Sequence, residues 1–186
     1  MFVLRFLSSS FPVSNKESSL KNKYVWVGSI MSVVLIADQL TKYLIATRVR
    51  LHSIITVVPG FFNITHVRNR GAAFGILAGA PEMWRSLFFI TVTIAAIAVI
   101  SALIWKTHER LLLIAFSLIA GGAIGNLIDR VRYGEVVDFI QWFVRSYYWP
   151  SFNVADSAIS VGVALLVLDM LLQKPQEAKE NETVKR

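Results

Sequence analysis

The stretch "LFFITVTIAAIAVISALIW", Leu87 to Trp105, runs for nineteen residues without a charged side chain. It is too long and too uncharged for a soluble core helix and matches a bilayer span, which needs roughly 20 residues to cross ~30 Å of hydrocarbon. Three further apolar segments flank it: Tyr24 to about Ala46, Leu111 to Leu127, and Ala158 to Leu172. The last two are short, so the Gly-rich or polar residues beside them are expected to complete the spans. Backbone polar groups in lipid must be satisfied within the segment, and the four runs are therefore read as helices.

Composition agrees with a polytopic membrane protein. The chain has 186 residues, enough for one domain, and 55% of them are apolar. The formal charge of +7 comes from basic residues in tails and short loops. They form no single stripe, so they read as membrane anchors and topology signals, and nucleic acid is not an expected partner. There is no cysteine, which excludes disulfides, a thiol nucleophile and Cys-based metal sites. His52, His66 and His108 show no metal-ligand spacing, so neither a metal nor another cofactor is expected. Residues 1–23 are expected to be a disordered or interfacial tail, 24–173 the membrane domain, and 174–186 a polar tail.

With four spans both termini share one side, and "KTHER" (Lys106 to Arg110) is a tight hairpin on that side. Thr47–Ser86 and Ile128–Ser157 then lie opposite. Lys and Arg favour the terminal side only narrowly, which leans towards cytoplasmic termini. The arginines left on the other side suggest a further task. In the first long loop, "HSIITVVPGFFNITHVRN" has two β-branched runs around Pro59-Gly60, a hairpin signal. "RGAAFGILAGAP" beyond it is expected to be a short helix or turn on the bilayer surface. The loop either rests on lipid or grips an apolar ligand, or else it is a small β-platform packed on the helix ends.

Polar residues in such a chain stand out. Asp38 and Lys42 in "ADQLTKYLI" are four apart on one helix face, acid first, the order that suits an ion pair. They are expected to face the bundle and to support it structurally. Arg68 and Asn69 in "HVRNRGAAF" can hold backbone carbonyls or an anionic head group, and Arg70 reads as interfacial snorkelling. In "GGAIGNLIDRV" the glycines suit close helix packing through Gly121 and Gly125. Asn126, Asp129 and Arg130 follow near the interface, where the consecutive Asp129 and Arg130 point apart.

Two acids remain. Asp138 is central to the strand-like "VVDFI". Asp156 in "ADSAI" suits a helix N-cap. The aromatic return "WFVRSYYWPSFN" between them lets both reach the same depth. Two carboxylates together at a low-dielectric boundary do not both ionise easily, so one holds a proton while the other serves as a base. Residue chemistry alone leaves the N-cap and the dyad both open for Asp156.

The boxes "DQLTK", "VRNRGAAFGIL", "GNLIDRVRYGEVVDF" and "FNVADSAI", in this order among four spans, resemble the lipoprotein signal peptidases (signal peptidase II) of bacteria. The similarity runs from about Val25 to Leu172, and His66 stands where an aromatic such as Tyr is common. The resemblance implies a mainly α membrane protein, with four transmembrane helices and a small β-containing platform on the extracytoplasmic side. It implies an aspartic endopeptidase of the inner membrane with Asp138 and Asp156 as its catalytic dyad. Asp38, Lys42, Asn69, Asn126, Asp129, Arg130 and Asn153 would be the supporting polar residues. The implied substrate is a prolipoprotein cleaved before a cysteine that already carries diacylglycerol, held by the apolar loop from His52 to Pro81. A monomer in contact with membrane lipid is expected. Two other classes compete: a small transporter, which would show repeated halves and midspan acids, and a Ser-Lys peptidase using Ser157 or Ser160 with Lys42.

Overall fold

The computed structural model describes residues 16–71 and 81–172. Four helices and four strands follow in the order α1 (Lys16–Arg48), β1 (Ile54–Val58), β2 (Phe62–Asn69), α2 (Glu82–Lys106), α3 (Arg110–Tyr133), β3 (Val136–Val144), β4 (Tyr147–Tyr148) and α4 (Val154–Leu172). All four helices are long and apolar enough to cross a membrane, over Asn22–Arg48, Glu82–Lys106, Arg110–Tyr133 and Val154–Leu172. The two runs that look short in sequence are lengthened as expected: α3 continues through its Gly-rich end, and α4 starts at Val154. Helix α1 begins at Lys16, eight residues before the expected edge of the tail. Most of "RGAAFGILAGAP" lies outside the described residues.

The helices are not equal partners. Helix α3 is the centre and packs against α1, α2 and α4. Its small residues permit this: Gly121 and Gly125 both face α1, and a Cβ on Gly125 would come within 2.5 Å of the Asp38 carboxylate. Helix α2 buries only Ile104. Ile100 and Leu103 are partly covered by their contacts with the bundle, while Met83, Trp84, Leu87, Val92, Ile94, Val99 and Trp105 are exposed, as suits a helix facing lipid. At the end remote from the strands, Val27, Ile104, Leu112 and Phe116 form one apolar cluster.

At the other end sits the β-platform, an antiparallel sheet in the order β1-β2-β3-β4. The Pro59-Gly60 signal gives the expected hairpin, with Ile54 opposite Thr65 and Val58 opposite Phe62. Strand β1 is exposed along its length, while Val136 to Phe139 of β3 are buried on both faces. Gly134 makes that burial possible. It ends α3 in the left-handed conformation (φ 71°), where other residues are strained, and turns the chain straight into β3. Ile45, Val137 and Phe139 pack beneath the sheet and fix it to α1.

Two irregularities place Asp138. Between Ile64–Ile140 and Val67–Asp138 strand β2 carries one extra residue, a bulge that shifts the pairing beside the acid. On the other side of β3, Phe152 forms a bridge with Ile140, its carbonyl accepting from Phe139 and Ile140. The next residue, Asn153, is thereby brought against Asp138.

Candidate active site

Asp138 and Asp156 reach one another through Asn153. The Asn153 amide donates to Asp138 Oδ1 at 2.7 Å. The Asn153 Oδ1 accepts the backbone N–H of Asp156 at 2.9 Å, and Asp156 Oδ2 accepts the Asn153 N–H at 3.2 Å. This reciprocal pair is a capping box in which Asn153 is the N-cap of α4 and Asp156 stands at its third position. The N-cap reading of Asp156 is corrected: the chain enters the helix three residues earlier because Asn153 offers the capping oxygen.

Each carboxylate has a further amide donor. Asn69 Nδ2 lies 2.9 Å from Asp138 Oδ2, and its own Oδ1 accepts the Gly71 N–H at 2.8 Å, which sets its orientation. Asn126 Nδ2 lies 2.8 Å from Asp156 Oδ1. Asp138 is only 1% exposed. That burial, with the nearby Asp156 charge, pushes its carboxyl up to about 7, against the opposing pull of the Asn69 and Asn153 amides and the Lys42 charge.

Behind the two acids lies a buried charged network. Lys42 Nζ is 2.9 Å from Asp38 Oδ2 and 3.1 Å from Asp129 Oδ2, and donates to Asn126 Oδ1 at 2.9 Å. The expected pair on one face of α1 is present, with Asp129 as a second anionic partner. Asp38 also reaches across the bundle, its Oδ1 accepting the Ala155 N–H at 2.9 Å. Asp129 accepts the Val137 N–H at 3.2 Å and so ties α3 to the start of β3. One ammonium therefore orders two carboxylates and, through Asn126, the side chain that holds Asp156.

Asp38, Lys42, Asn69, Asn126, Asp129 and Asn153 thus converge. Arg68 and Arg130 do not join these bonds among the described residues. Arg130 lies over the Phe89 ring at 5.4 Å and is close enough to feel the charges of Asp156, Asp138 and Asp129, and Arg68 lies over the Tyr133 ring at 5.3 Å. Gln39 does join them. Its Nε2 donates to Asp38 at 3.1 Å, to the Gly125 carbonyl at 3.2 Å and to Asp129 at 3.1 Å. It stands in the "DQLTK" box, but neighbours on a helix point to different faces, so adjacency alone did not mark it. Ser157 donates to the Asn153 carbonyl at 2.9 Å, and Lys42 is held by its own three partners. A serine nucleophile activated by this lysine finds no support in that arrangement.

Comparison with known proteins agrees with these motifs. Residues 30–172 match the family described as Signal peptidase (SPase) II. A lipoprotein signal peptidase of Syntrophus aciditrophicus (strain SB) is 48% identical over 147 residues, covering 78% of this chain and 91% of that one. One from Geobacter metallireducens (strain ATCC 53774 / DSM 7210 / GS-15) is 46% identical over 164 residues, covering 87% of this chain and all (100%) of the other. A solved bacterial membrane enzyme superposes with a TM-score of 0.72 at 39% identity, covering 80% of this chain and 94% of its own.

Proposed function

Because the chain belongs to the signal peptidase II family, we propose that Asp138 and Asp156 are the aspartic dyad with which it cleaves its substrate. The family establishes the coarser activity: this is a multi-pass membrane protease that removes signal peptides from prolipoproteins. The observation that carries the finer reading is the single residue Asn153, bonded to both carboxylates.

At neutral pH the dyad holds one proton, and Asp138 is its place. Asp138 is the more deeply buried of the two, and burial raises its carboxyl to about 7, whereas Asp156 is only partly buried and lies in the first turn of α4, where the positive end of the helix favours a negative charge. Asp156 takes a proton from water, and the hydroxide attacks the scissile carbonyl carbon as Asp138 protonates the carbonyl oxygen. The tetrahedral diol then collapses. Asp156 passes its proton to the amide nitrogen, the C–N bond breaks, and Asp138 recovers a proton from a diol hydroxyl. Atoms and charges balance, and the dyad returns to its starting state.

The scissile bond is that before a diacylglyceryl-modified cysteine. The acids lie where helix ends meet the sheet, so acyl chains in the bilayer would fix the bond at their depth and reduce the entropic barrier to attack. The enzyme acts as a monomer in the inner membrane, with cytoplasmic termini and the dyad near the extracytoplasmic face. The test is turnover by inserted, folded Asp138→Asn and Asp156→Asn variants on lipidated and unlipidated prolipoprotein. Each substitution should abolish cleavage, and the double variant should be hardly worse, as residues acting as a unit require. The wild type should cut the lipidated form far faster. Substantial activity in either single variant would rule out the aspartic mechanism, and equal rates on the two substrates would remove the role of the lipid.

A further inference from the structure

A second constellation lies beside the sheet and takes no part in the dyad. The last turn of α1 and the chain after it pass the base of β2 and leave a recess of about 360 Å³. Arg48, Arg50, Arg68 and His66 line it, and among the described residues no carboxylate does. Among the described residues none of these three guanidiniums is seen in an ion pair with a carboxylate. They are the arginines whose number on this side the bundle does not explain.

His66 supplies an independent sign of a ligand. It is 4% exposed, and its Nδ1 lies 2.8 Å from the carbonyl oxygen of Val49. A carbonyl only accepts, so Nδ1 carries the hydrogen, and Nε2 is the ring atom left to meet a ligand. Among the described residues that nitrogen is buried with no partner. A fitting ligand offers negative charge to the arginines and a hydroxyl to the imidazole.

Depth narrows the choice. The first span ends at Arg48, and the exposed Ile54, Ile55, Val57 and Val58 of β1 follow at once. The recess therefore sits at the border of the hydrocarbon, the level of lipid phosphates, where long basic side chains place their charge. We propose that it binds the headgroup of an anionic phospholipid whose phosphodiester bears a hydroxylated alcohol, as in phosphatidylglycerol. The arginines take the phosphate and the headgroup hydroxyl pairs with His66 Nε2.

The test uses the full chain in phosphatidylcholine nanodiscs, with lipid retention read by native mass spectrometry and no cleavage assay. Phosphatidylglycerol should be retained selectively. Arg48→Gln/Arg50→Gln should weaken retention by roughly tenfold or more, given the worth of each basic residue near a membrane surface. Arg132→Gln/Arg145→Gln removes the same charge elsewhere on the sheet side and should do much less. Equal losses in the two pairs would reduce the effect to general attraction and overturn the site. Phosphatidylethanol, an anionic phosphodiester without the hydroxyl, should be held more weakly by the wild type, and His66→Phe should erase that difference. Equal retention of both lipids by the wild type would overturn the hydroxyl contact. Displacement by inorganic phosphate alone, without loss of the bound protein's fold, would make this a free-phosphate site and overturn the lipid assignment.

Discussion

Replacing Asn153 by serine separates two roles that one side chain performs. Serine caps a helix about as well as asparagine, so the start of α4 keeps an acceptor for the Asp156 N–H. What disappears is the amide donor 2.7 Å from Asp138 Oδ1. That donor favours the ionised carboxylate. The value of about 7 is set chiefly by burial, and the Asn69 and Asn153 amides hold it down. A hydrogen bond to a charged group is worth about 1.5–3 kcal/mol, and one pKa unit corresponds to ~1.36 kcal/mol. Loss of the donor should thus raise Asp138 by about one to two units. The direction in activity follows from the mechanism, which needs the Asp138 proton. Wild-type kcat/KM should fall as pH rises through about 7, and in Asn153→Ser that fall should move to higher pH. The assay is kcat/KM on lipidated prolipoprotein across the neutral and alkaline range. Thermal stability supplies a second readout. An acid raised from 3.8 to about 7 contributes stability that is present below the lower value and lost as pH rises through the upper one. A limb that stays in place or moves to lower pH would refute the assignment of the proton to Asp138.

Three other outcomes are expected. Lys42→Met strands two buried carboxylates, Asp38 and Asp129, and should cost about 3–5 kcal/mol, seen as a lower melting temperature by tryptophan fluorescence in detergent. Gly125→Ala drives a Cβ towards Asp38 Oδ2 and should destabilise by ~1–3 kcal/mol; cleavage should fall as well, because Asp38 holds the Ala155 amide, and an unaffected melting temperature would deny the close approach. A phosphatase fused after Gly134 should be active and one after Lys174 inactive, and the reverse pattern would invert the topology.

Features governed by local chemistry were legible in the sequence. The spans follow from uncharged length, the β1–β2 hairpin from Pro59-Gly60 between β-branched runs, and the Asp38–Lys42 pair from helical spacing. Asp138 was visible as a carboxylate in a strand-like apolar run. Features made by contact between remote segments were not. Asn153 came forward only through family resemblance, because its role needs Phe152 to pair with Ile140 across a turn. Gln39 was missed because its partners Gly125 and Asp129 lie on a different helix. The place of Asp156 within α4 was ambiguous because asparagine and aspartate both cap well, and Asn153 stood three residues ahead of it.

The bond from Asp38 to the Ala155 amide has a consequence for biosynthesis. Asp38 belongs to the first of the four spans described, and Ala155 to the fourth. In the proposed mechanism one acid of the dyad, Asp156, is on that fourth span. A nascent chain with only the first three of these spans in the bilayer lacks Asp156, and one whose fourth span has entered but not docked lacks the contact that seats it. On that mechanism proteolytic competence arrives late and all at once, and the incomplete protease cannot yet cut anything in the membrane in which it is being assembled.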